Sequence, residues 1–285
     1  MRFSIVTPSL NQGRFLGEAL ESVRLQHHPE VEHLVLDGDS SDHTVALLRS
    51  LDGKPEWKHV CWRSEADSGQ SDALNRGFLL ASGDIIGWLN SDDRYRPGCF
   101  DHVAQLFAEH PEVDVVYGDF ALMNEEGAVE KVRREIEFNR FILLYHHVLY
   151  IPTPATFLRR RIFEDGNRLR PDLHYAMDYE FFLRLANAGY RIRHIPQVLA
   201  DFRVHPASKS CRMELLQAAE KRGVMLAVSP LSARIRSPYL RRAVFAGLQL
   251  IAGVMRWSEK LLRGYYFAPS PAGSPKPPGR TVRSS

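Results

Sequence analysis

The chain has 285 residues, 44% of them hydrophobic and 25% charged, with a formal charge of +3, which is ordinary composition for a globular protein of one large domain or two small ones. No 18 apolar residues run together, and the opening residues MRFSIVTPS enter a strand pattern directly, so we expect neither a membrane span nor an export signal. Three widely spaced cysteines without metal-ligand spacing favour a reduced, cytoplasmic setting.

Strand-like and helix-like segments alternate over roughly the first 120 residues. The first helix-like segment carries apolar residues at helical spacing, namely Phe15, Leu16, Ala19, Leu20 and Val23. Strands that alternate with crossover helices are typical of a parallel sheet. We therefore predict an α/β fold with a mostly parallel, doubly wound sheet flanked by helices. Its five strand-like runs are RFSIVT, EHLVLD, KHVCWR, DIIGWL and VDVVYGDF.

The pattern changes in the second part of the chain. NEEGAVEKV predicts a hairpin, FNRFILLYHHVLYI a buried helix, MDYEFFLRLANAGY a second helix and QVLADFRVH a strand. From Arg212 onward the pattern is helical and basic, with 13 of the 37 basic residues and only 3 of the 34 acidic ones. These changes predict a main domain over residues 1–211, a basic helical extension over 212–267 and a disordered Pro/Ser-rich tail over 268–285.

The basic extension suggests an anionic partner, although a solvated tail explains the charge equally well. Lipid headgroups and nucleic acid are both admissible on charge alone. The segment YLRRAVFAGLQLIAGVMRW is too short to span a bilayer but suits a helix that lies in the membrane interface. Core packing or a dimer contact is an equally plausible use of its apolar residues.

Polar residues follow each of the first four strands, where ligands of open parallel sheets bind. The segments are TPSLNQGRF, DGDSSDHT, SEADSGQSDALN and NSDDRY. Asp37 and Asp39 could accept hydrogen bonds from a nucleobase or ribose, but they could also form turns and cap helices.

The adjacent acids Asp92 and Asp93 follow the apolar run DIIGWL. Two neighbouring carboxylates raise each other's pKa unless a cation or strong donors compensate. Carboxylates together with substrate phosphate are the usual ligands of Mg²⁺ and Mn²⁺, whereas a turn followed by a helix cap is the alternative. The sequence lacks GxGxxG after the first strand and GxxxxGK[ST] anywhere, which disfavours dinucleotide oxidoreductases and P-loop NTPases.

Five segments in fixed order resemble glycosyltransferase family 2, inverting enzymes of the GT-A fold that use nucleotide sugars. They are SIVTPSLNQGRFL, LVLDGDSSDHT, DSGQSDALNRGFLLASGDIIGWLNSDD, MDYEFFLRL and FRVHPASKS, and the match spans roughly residues 2–210. The resemblance implies a GT-A domain with a donor half over 1–119 and an acceptor half, which supplies the base, over 120–211. It also implies a divalent cofactor, Mn²⁺ or Mg²⁺, and a nucleoside-diphosphate sugar, with a UDP-sugar favoured.

The resemblance also implies roles for individual residues on the donor side. Thr7 and Asp37 would hold the nucleobase, with Asp39 nearby, and Asp67 and Asn75 would lie on the nucleoside or sugar side. NSDD matches the family's DxD-like element, so Asp92 is assigned to ribose or metal and Asp93 to metal. Asn90 takes the place of the element's usual first acid and removes one formal charge. The residues assigned to donor binding are Thr7, Asp37, Asp39, Asp67, Asn75, Asn90, Asp92 and Arg203.

His205 matches a family histidine that helps to hold the metal or the leaving diphosphate, while Arg203 and Lys209 supply positive charge for phosphate. A histidine that closes an edge strand is the alternative. Asp178 matches the segment that supplies the catalytic base at a helix start, although it could also be that helix's N-cap. Glu180 is the other acid there, but its spacing to Arg184 suits a surface ion pair.

The segment from residue 120 to 177 would contact the acceptor, a glycan or lipid-linked hydroxyl. Thr153 and Thr156 are candidate sugar contacts, and Arg159–Arg161 candidate phosphate contacts or a solvated turn. We expect no nucleic-acid partner and a cytoplasmic location, at the inner face of the membrane if the extension binds anionic lipid. The alternatives are a sugar nucleotidyltransferase, which would want a Gly- and Lys-rich loop after the first strand, and a non-catalytic nucleotide-sugar-binding protein.

Overall fold

The fold is built on one nine-stranded sheet. The computed structural model describes residues 1–146, 148–206 and 214–266. Strand β1 (Phe3–Ser9) lies between β2 (Val31–Asp37) and β4 (Ile85–Trp88), and β3 (Val60–Ser64) pairs with β2. All three pairings are parallel. This quartet is the parallel sheet that the first four apolar runs predict.

The helices of the first half cover both faces of these strands, and their bounds are α1 (Gly13–Arg24), α2 (Thr44–Arg49), α3 (Gln70–Leu80) and α4 (Cys99–Glu109). Because side chains alternate along a strand, Ile5 packs in one core with residues of α1 and α4, while Val6 packs in another with residues of α3. Burial on both faces explains why these strands are continuously apolar. All five apolar positions predicted for α1 are buried.

The second half extends the sheet with a mixture of directions. Its strands are β5 (Arg94–Tyr95), β6 (Val115–Met123), β7 (Val129–Arg133), β8 (Thr156–Arg159) and β9 (Ile192–Arg203). The order is β3-β2-β1-β4-β8-β6-β9-β5, with β7 paired to β6. Strand β8 lies antiparallel between β4 and β6, whereas β6 and β9 are parallel. The predicted α/β class is confirmed, but the four-residue β8, inserted beside β4, was not predicted.

The predicted hairpin and helices are present with adjusted bounds. β6 and β7 form the antiparallel hairpin. Helix α5 (Arg140–His146) is shorter than its apolar run, and the buried Tyr150 hydroxyl donates to the Asn139 carbonyl, just before the helix, at 2.8 Å. Then come α6 (Arg161–Glu164) and α7 (Met177–Asn187), the latter as predicted. Short 3₁₀ turns occupy Pro55–Trp57 and Thr153–Ala155.

The C-terminal extension packs on the main domain. Its helices are α8 (Glu214–Val228), α9 (Pro230–Arg234) and α10 (Pro238–Leu262). Met225 and Phe245 join the core cluster that contains α5 and α7. The buried Glu135 carboxylate accepts Arg256 at 2.6 Å and Lys260 at 3.0 Å, which fixes α10 to the segment after β7.

None of the helices in the described residues combines the length and the hydropathy that a bilayer span requires. The predicted tail 268–285, together with Lys209 and Arg212, lies outside the described residues. The helical, basic character predicted for the extension is present in its described part, over 214–266. The division into separate domains remains a prediction.

Candidate active site

A cavity of about 480 Å³ opens beside the carboxyl ends of β1 and β4. Residues that follow β1 and β4 line it together with the start of α3, the start of α7 and the end of β9. Five of the residues predicted for the donor, the metal or the base line this cavity: Asp67, Asn90, Asp92, Asp178 and His205. The structure therefore brings together side chains from distant parts of the sequence.

Asp92 and His205 meet at one wall of the cavity. The His205 Nε2 lies 3.2 Å from Oδ2 of Asp92, and the imidazole is buried against the Phe15 ring at 5.0 Å between centroids. The pairing of β9 with β5 explains this meeting, because it carries the residues after β9 to the loop after β4. A carboxylate and an imidazole nitrogen at one point are suitable ligands for a divalent ion.

Asp93 lies beneath this wall and not among the cavity residues. Its Oδ1 accepts the backbone N–H of Arg203 at 2.9 Å, and its Oδ2 accepts the Asn90 amide at 3.0 Å. Burial raises its pKa well above the usual value, and the charge of Asp92 raises the pKa further. Each of its oxygens thus accepts a protein donor, and the direct contact of Asp93 with a metal stays a prediction.

Arg203 is a buried clamp in the structure. Its Nε donates to the Asp92 carbonyl at 2.9 Å, its Nη1 to the Glu125 carbonyl at 2.8 Å and its Nη2 to the Glu18 carboxylate at 2.7 Å. The guanidinium also lies over the Phe15 ring, 4.8 Å from its centroid. All three nitrogens have protein partners, through which Arg203 fixes the loop that contains Asp92. Its contact with a donor phosphate stays a prediction.

Three residues assigned to the donor lie behind the cavity walls. Thr7 is fully buried, and its hydroxyl pairs with Nε2 of His33 at 2.8 Å. Asn75 exchanges two hydrogen bonds with the backbone of Leu169, at 2.8 and 2.9 Å. Asp37 is buried and accepts the Ser64 hydroxyl at 2.7 Å. These side chains pair with other parts of the protein, and their contacts with a donor stay predictions.

Asp39 is exposed on the loop after β2, in the left-handed region at φ 64°. The loop lies against Asp67, since a Cβ built on Gly38 would approach the Asp67 carboxylate to 2.7 Å. Asp67 in turn accepts the N–H of Gly69 at 2.7 Å. The two acids therefore belong to adjoining loops at one rim.

Two polar residues near β1 and β4 are further candidates that sequence reasoning missed. Ser9 lines the cavity, and its buried hydroxyl has no hydrogen-bond partner among the described residues, as expected of a group that awaits a ligand. Gln70 also lines the cavity and donates to Asn90 at 3.1 Å. The available signal for Ser9 was its place at the carboxyl end of β1, the sheet edge at which ligands bind.

The two acids at the start of α7 have different environments. Asp178 is half-buried, lines the cavity and accepts the N–H of Tyr179 at 2.7 Å. Glu180 is buried, and both its oxygens accept Arg184, at 2.9 and 3.1 Å. The predicted ion pair is present, although Glu180 is buried in it and not at the surface. Asp178 is thus the acid that faces the cavity.

The predicted acceptor contacts divide in the same way. Thr153 lines the cavity, whereas the buried Thr156 hydroxyl donates to the Pro152 carbonyl at 2.7 Å. Arg159 donates to carbonyls of Phe107 and Val113, and Arg161 pairs with Asp114. Arg159 and Arg161 thus lie near the start of β4, at the end of that strand opposite the cavity.

A two-ligand metal site fits the residues present. Among the described residues, no group of three or more His, Cys, Asp or Glu side chains could hold an ion by itself. Mg²⁺ and Mn²⁺ are often held by one or two protein ligands, with substrate phosphates completing the coordination. Asp92 and His205 satisfy that requirement at the cavity wall.

Comparison with known proteins identifies the family and the fold. The profile of Glycosyl transferase family 2 matches residues 4–166. A PGL/p-HBAD biosynthesis glycosyltransferase of Mycobacterium bovis is 34% identical over 206 residues, which cover 70% of this chain and 76% of the relative.

Two solved structures resemble the chain in fold. S. aureus TarS 1–349 in complex with UDP-GlcNAc has a TM-score of 0.64 at 20% identity, with 80% of this chain and 66% of the TarS 1–349 chain covered. The protein thus spans just under two thirds of that TarS chain. Mannosyltransferase PcManGT from Pyrobaculum calidifontis, in complex with GDP-Man and Mn²⁺, has a TM-score of 0.56 at 16% identity, with 90% of this chain and 87% of that chain covered. A profile match over more than half of the chain and a relative above 30% identity establish that this protein is a GT-A-fold glycosyltransferase of family 2.

Proposed function

We propose that the protein transfers a sugar, with inversion, from a nucleoside-diphosphate sugar to a hydroxyl of a glycan or lipid-linked acceptor. The observation that carries this proposal is that Asp178 faces the same cavity as the Asp92–His205 pair. A base for the acceptor and a site for the leaving diphosphate are the two groups that a single in-line displacement requires. The M. bovis relative is named for PGL/p-HBAD biosynthesis, which supports a biosynthetic sugar transfer.

The donor would lie along the β1 and β4 side of the cavity. We assign the Ser9 hydroxyl, Asp67 and Asn90 to contacts with the nucleoside or sugar, because all three line the cavity. Asp39 is assigned to the ribose from the adjoining loop. A UDP-sugar is favoured because TarS, the structure with the higher TM-score, is in complex with UDP-GlcNAc, and a GDP-sugar is the alternative, from PcManGT.

The remaining donor-side residues would act on the donor indirectly. Thr7, Asp37 and Asn75 hold the strands and loops that shape the cavity. Asp93 and Arg203 keep the end of β9 against the loop after β4. We therefore propose that Asp93 and Arg203 set the position of Asp92 and His205. Thr7, Asp37 and Asn75 would set the shape of the cavity around the donor.

Asp92 and His205 are the residues that would hold Mn²⁺ or Mg²⁺. Such an ion, when bound with the donor, offsets the negative charge that accumulates on the departing diphosphate. The Asp178 carboxylate would accept the proton of the acceptor hydroxyl as that oxygen forms its bond to the anomeric carbon. The bond from the anomeric carbon to the diphosphate oxygen breaks on the opposite face, so the product has the inverted configuration.

A donor panel tests this proposal directly. We expect UDP-sugars with Mn²⁺ to raise the melting temperature more than GDP-sugars do, and one UDP-sugar to support slow hydrolysis or transfer. Proton NMR of the fresh product should show an anomeric configuration opposite to that of the donor. A product with retained configuration would contradict the single displacement, and preferential stabilisation by GDP-sugars would transfer the donor assignment to GDP.

The outer face of α10 is the candidate membrane surface. Its exposed large apolar residues are Tyr239, Leu240, Leu250, Ile251, Val254, Met255, Trp257 and Leu262. The charged side chains Arg256 and Lys260 point instead toward Glu135 on the domain. Residues 214–266 contain 9 Lys or Arg against 3 acids. An apolar face on a basic extension matches an anionic lipid surface better than a second copy of the same basic helix.

We propose that this face binds the cytoplasmic leaflet, where a lipid-linked acceptor would be presented. The double variant Leu250→Asp with Val254→Asp should float about tenfold less with vesicles containing phosphatidylglycerol, because it places two charges on the apolar face. Gln249→Asp, on the flank of the same helix, is the matched control. Equal flotation of the two variants would contradict the proposal. A monomer-to-dimer difference in size-exclusion chromatography would point to a second copy instead.

A further inference from the structure

Helix α8 contacts the segment that leads into α7. The Glu220 carboxylate accepts three consecutive backbone N–H groups, from His174 at 3.2 Å, Tyr175 at 2.7 Å and Ala176 at 2.9 Å. Ala176 is the N-cap of α7, and its methyl side chain cannot accept a hydrogen bond. A carboxylate from another helix therefore serves the amides at the start of α7, two residues before Asp178.

Two other residues of α8, close to Glu220, also interact with the segment around the start of α7. Gln217 lines the cavity, and its amide donates to the Tyr175 carbonyl at 3.3 Å. Lys221 is partly buried, so its pKa is lowered by desolvation, and the negative charge of Asp178 opposes this shift. An ammonium within electrostatic range favours the ionised form of a carboxylate, which is the form that a base needs.

We infer that Glu220 is a positioning residue for the acceptor base: it fixes residues 174–176 so that Asp178 keeps its place in the cavity. His174 and Tyr175 also line the cavity, so the same contact shapes the wall beside the base. The inference rests on the proposed role of Asp178 and assigns the extension a part in the reaction. The family profile ends at residue 166, so α8 lies outside the segment that it matches.

The physical reason lies in how strictly a base must be placed. A reacting pair must approach within bonding reach and in line, and a displacement of about 1 Å costs on the order of 100-fold in rate. The Glu220 carboxylate, which also lies at the positive end of the α7 dipole, restrains three successive peptide groups. Without it, the segment before Asp178 would be free to adopt other conformations.

The variants Glu220→Ala and Glu220→Gln test this inference. We expect Glu220→Ala to lower kcat for transfer by roughly 10- to 100-fold while Kd for UDP with Mn²⁺ changes less than about twofold. Glu220→Gln keeps one accepting oxygen and should recover part of the loss. Arg222→Ala, at an exposed position on the same helix, is the matched control and should behave like the unchanged protein.

Hydrogen exchange gives a readout that does not depend on activity. Glu220→Ala should speed exchange of the amides of residues 174–176, whereas exchange within α8 should stay protected. Unchanged exchange at these amides, or a kcat equal to that of Arg222→Ala, would overturn the inference. The Glu220→Gln variant keeps the test valid if the alanine variant does not fold.

A double variant separates this inference from the proposed function. If Asp178 is the base and Glu220 acts through it, adding Glu220→Ala to Asp178→Asn should cause no further loss of kcat. If Asp178→Asn alone retains full turnover, the proposed function of Asp178 fails, whatever Glu220 does. If Asp178→Asn is inactive but Glu220→Ala matches the control, the inference alone fails.

Discussion

Asp178→Asn should lower kcat for sugar transfer by about 1,000-fold, because general base catalysis contributes on the order of 100- to 10,000-fold and an amide cannot accept the proton. The side chain keeps its size, and Asp178 accepts its own neighbour's N–H through an oxygen that asparagine retains. Nucleotide affinity should therefore be nearly unchanged. Turnover with a defined acceptor and calorimetric titration of UDP with Mn²⁺ measure the two quantities side by side.

Glu180→Gln is the matched control for this prediction, since Glu180 lies on the same helix but is paired with Arg184. Its effect should fall on the free energy of unfolding, with kcat within a few-fold of the original. A fall in kcat for Glu180→Gln as large as that for Asp178→Asn would show that the loss in either variant arises from disturbed structure. Full turnover by Asp178→Asn would remove it from the mechanism.

Asp92→Asn should weaken binding of UDP in Mn²⁺ by about 100-fold while binding of uridine changes little. The reason is that the substitution removes the charged oxygen that lies beside His205, whereas a nucleoside carries no phosphates for a metal to hold. Titration of both ligands, with and without EDTA, measures the difference. Equal losses for UDP and uridine would contradict a metal role for Asp92.

The variant Asp93→Asn tests whether Asp93 is a metal ligand or a structural support for Asp92 and His205. Asp93 accepts one donor on each oxygen, and asparagine would place an N–H₂ group against one of them. A buried donor without an acceptor costs about 1–3 kcal/mol, so this variant should lose stability and weaken UDP and uridine alike. Selective loss of UDP binding in Asp93→Asn would instead return the metal-ligand assignment to Asp93.

The part of the fold that the sequence predicts is the part with regular burial. Strands β1, β2 and β4 are recognisable because both of their faces are covered, and α1 because its apolar residues follow a helical period. Strand β8 was not recognisable, since its four residues are placed by pairing with β4 and β6, which lie far away in sequence. Local pattern gives no information on such pairings.

The site shows the same limit at the level of single side chains. Sequence reasoning identifies the loops that carry Asp92, Asp178 and His205, but not which neighbour faces the cavity. Asp92 and Asp93 differ by one position, yet one lines the cavity while the other is buried beneath it. Glu220 is further from prediction, because its partners are backbone amides more than 40 residues away.

The joint between Glu135 and α10 bears on how this protein can be engineered. Deleting the extension would leave the buried Glu135 carboxylate without Arg256 and Lys260. It would also expose the apolar surfaces that Met225 and Phe245 cover. Residues 214–266 are thus not an interchangeable module. Suppose that a chimera with a relative is built to change the acceptor preference. Its C-terminal helices would have to be exchanged together with the surface of the main domain on which they pack.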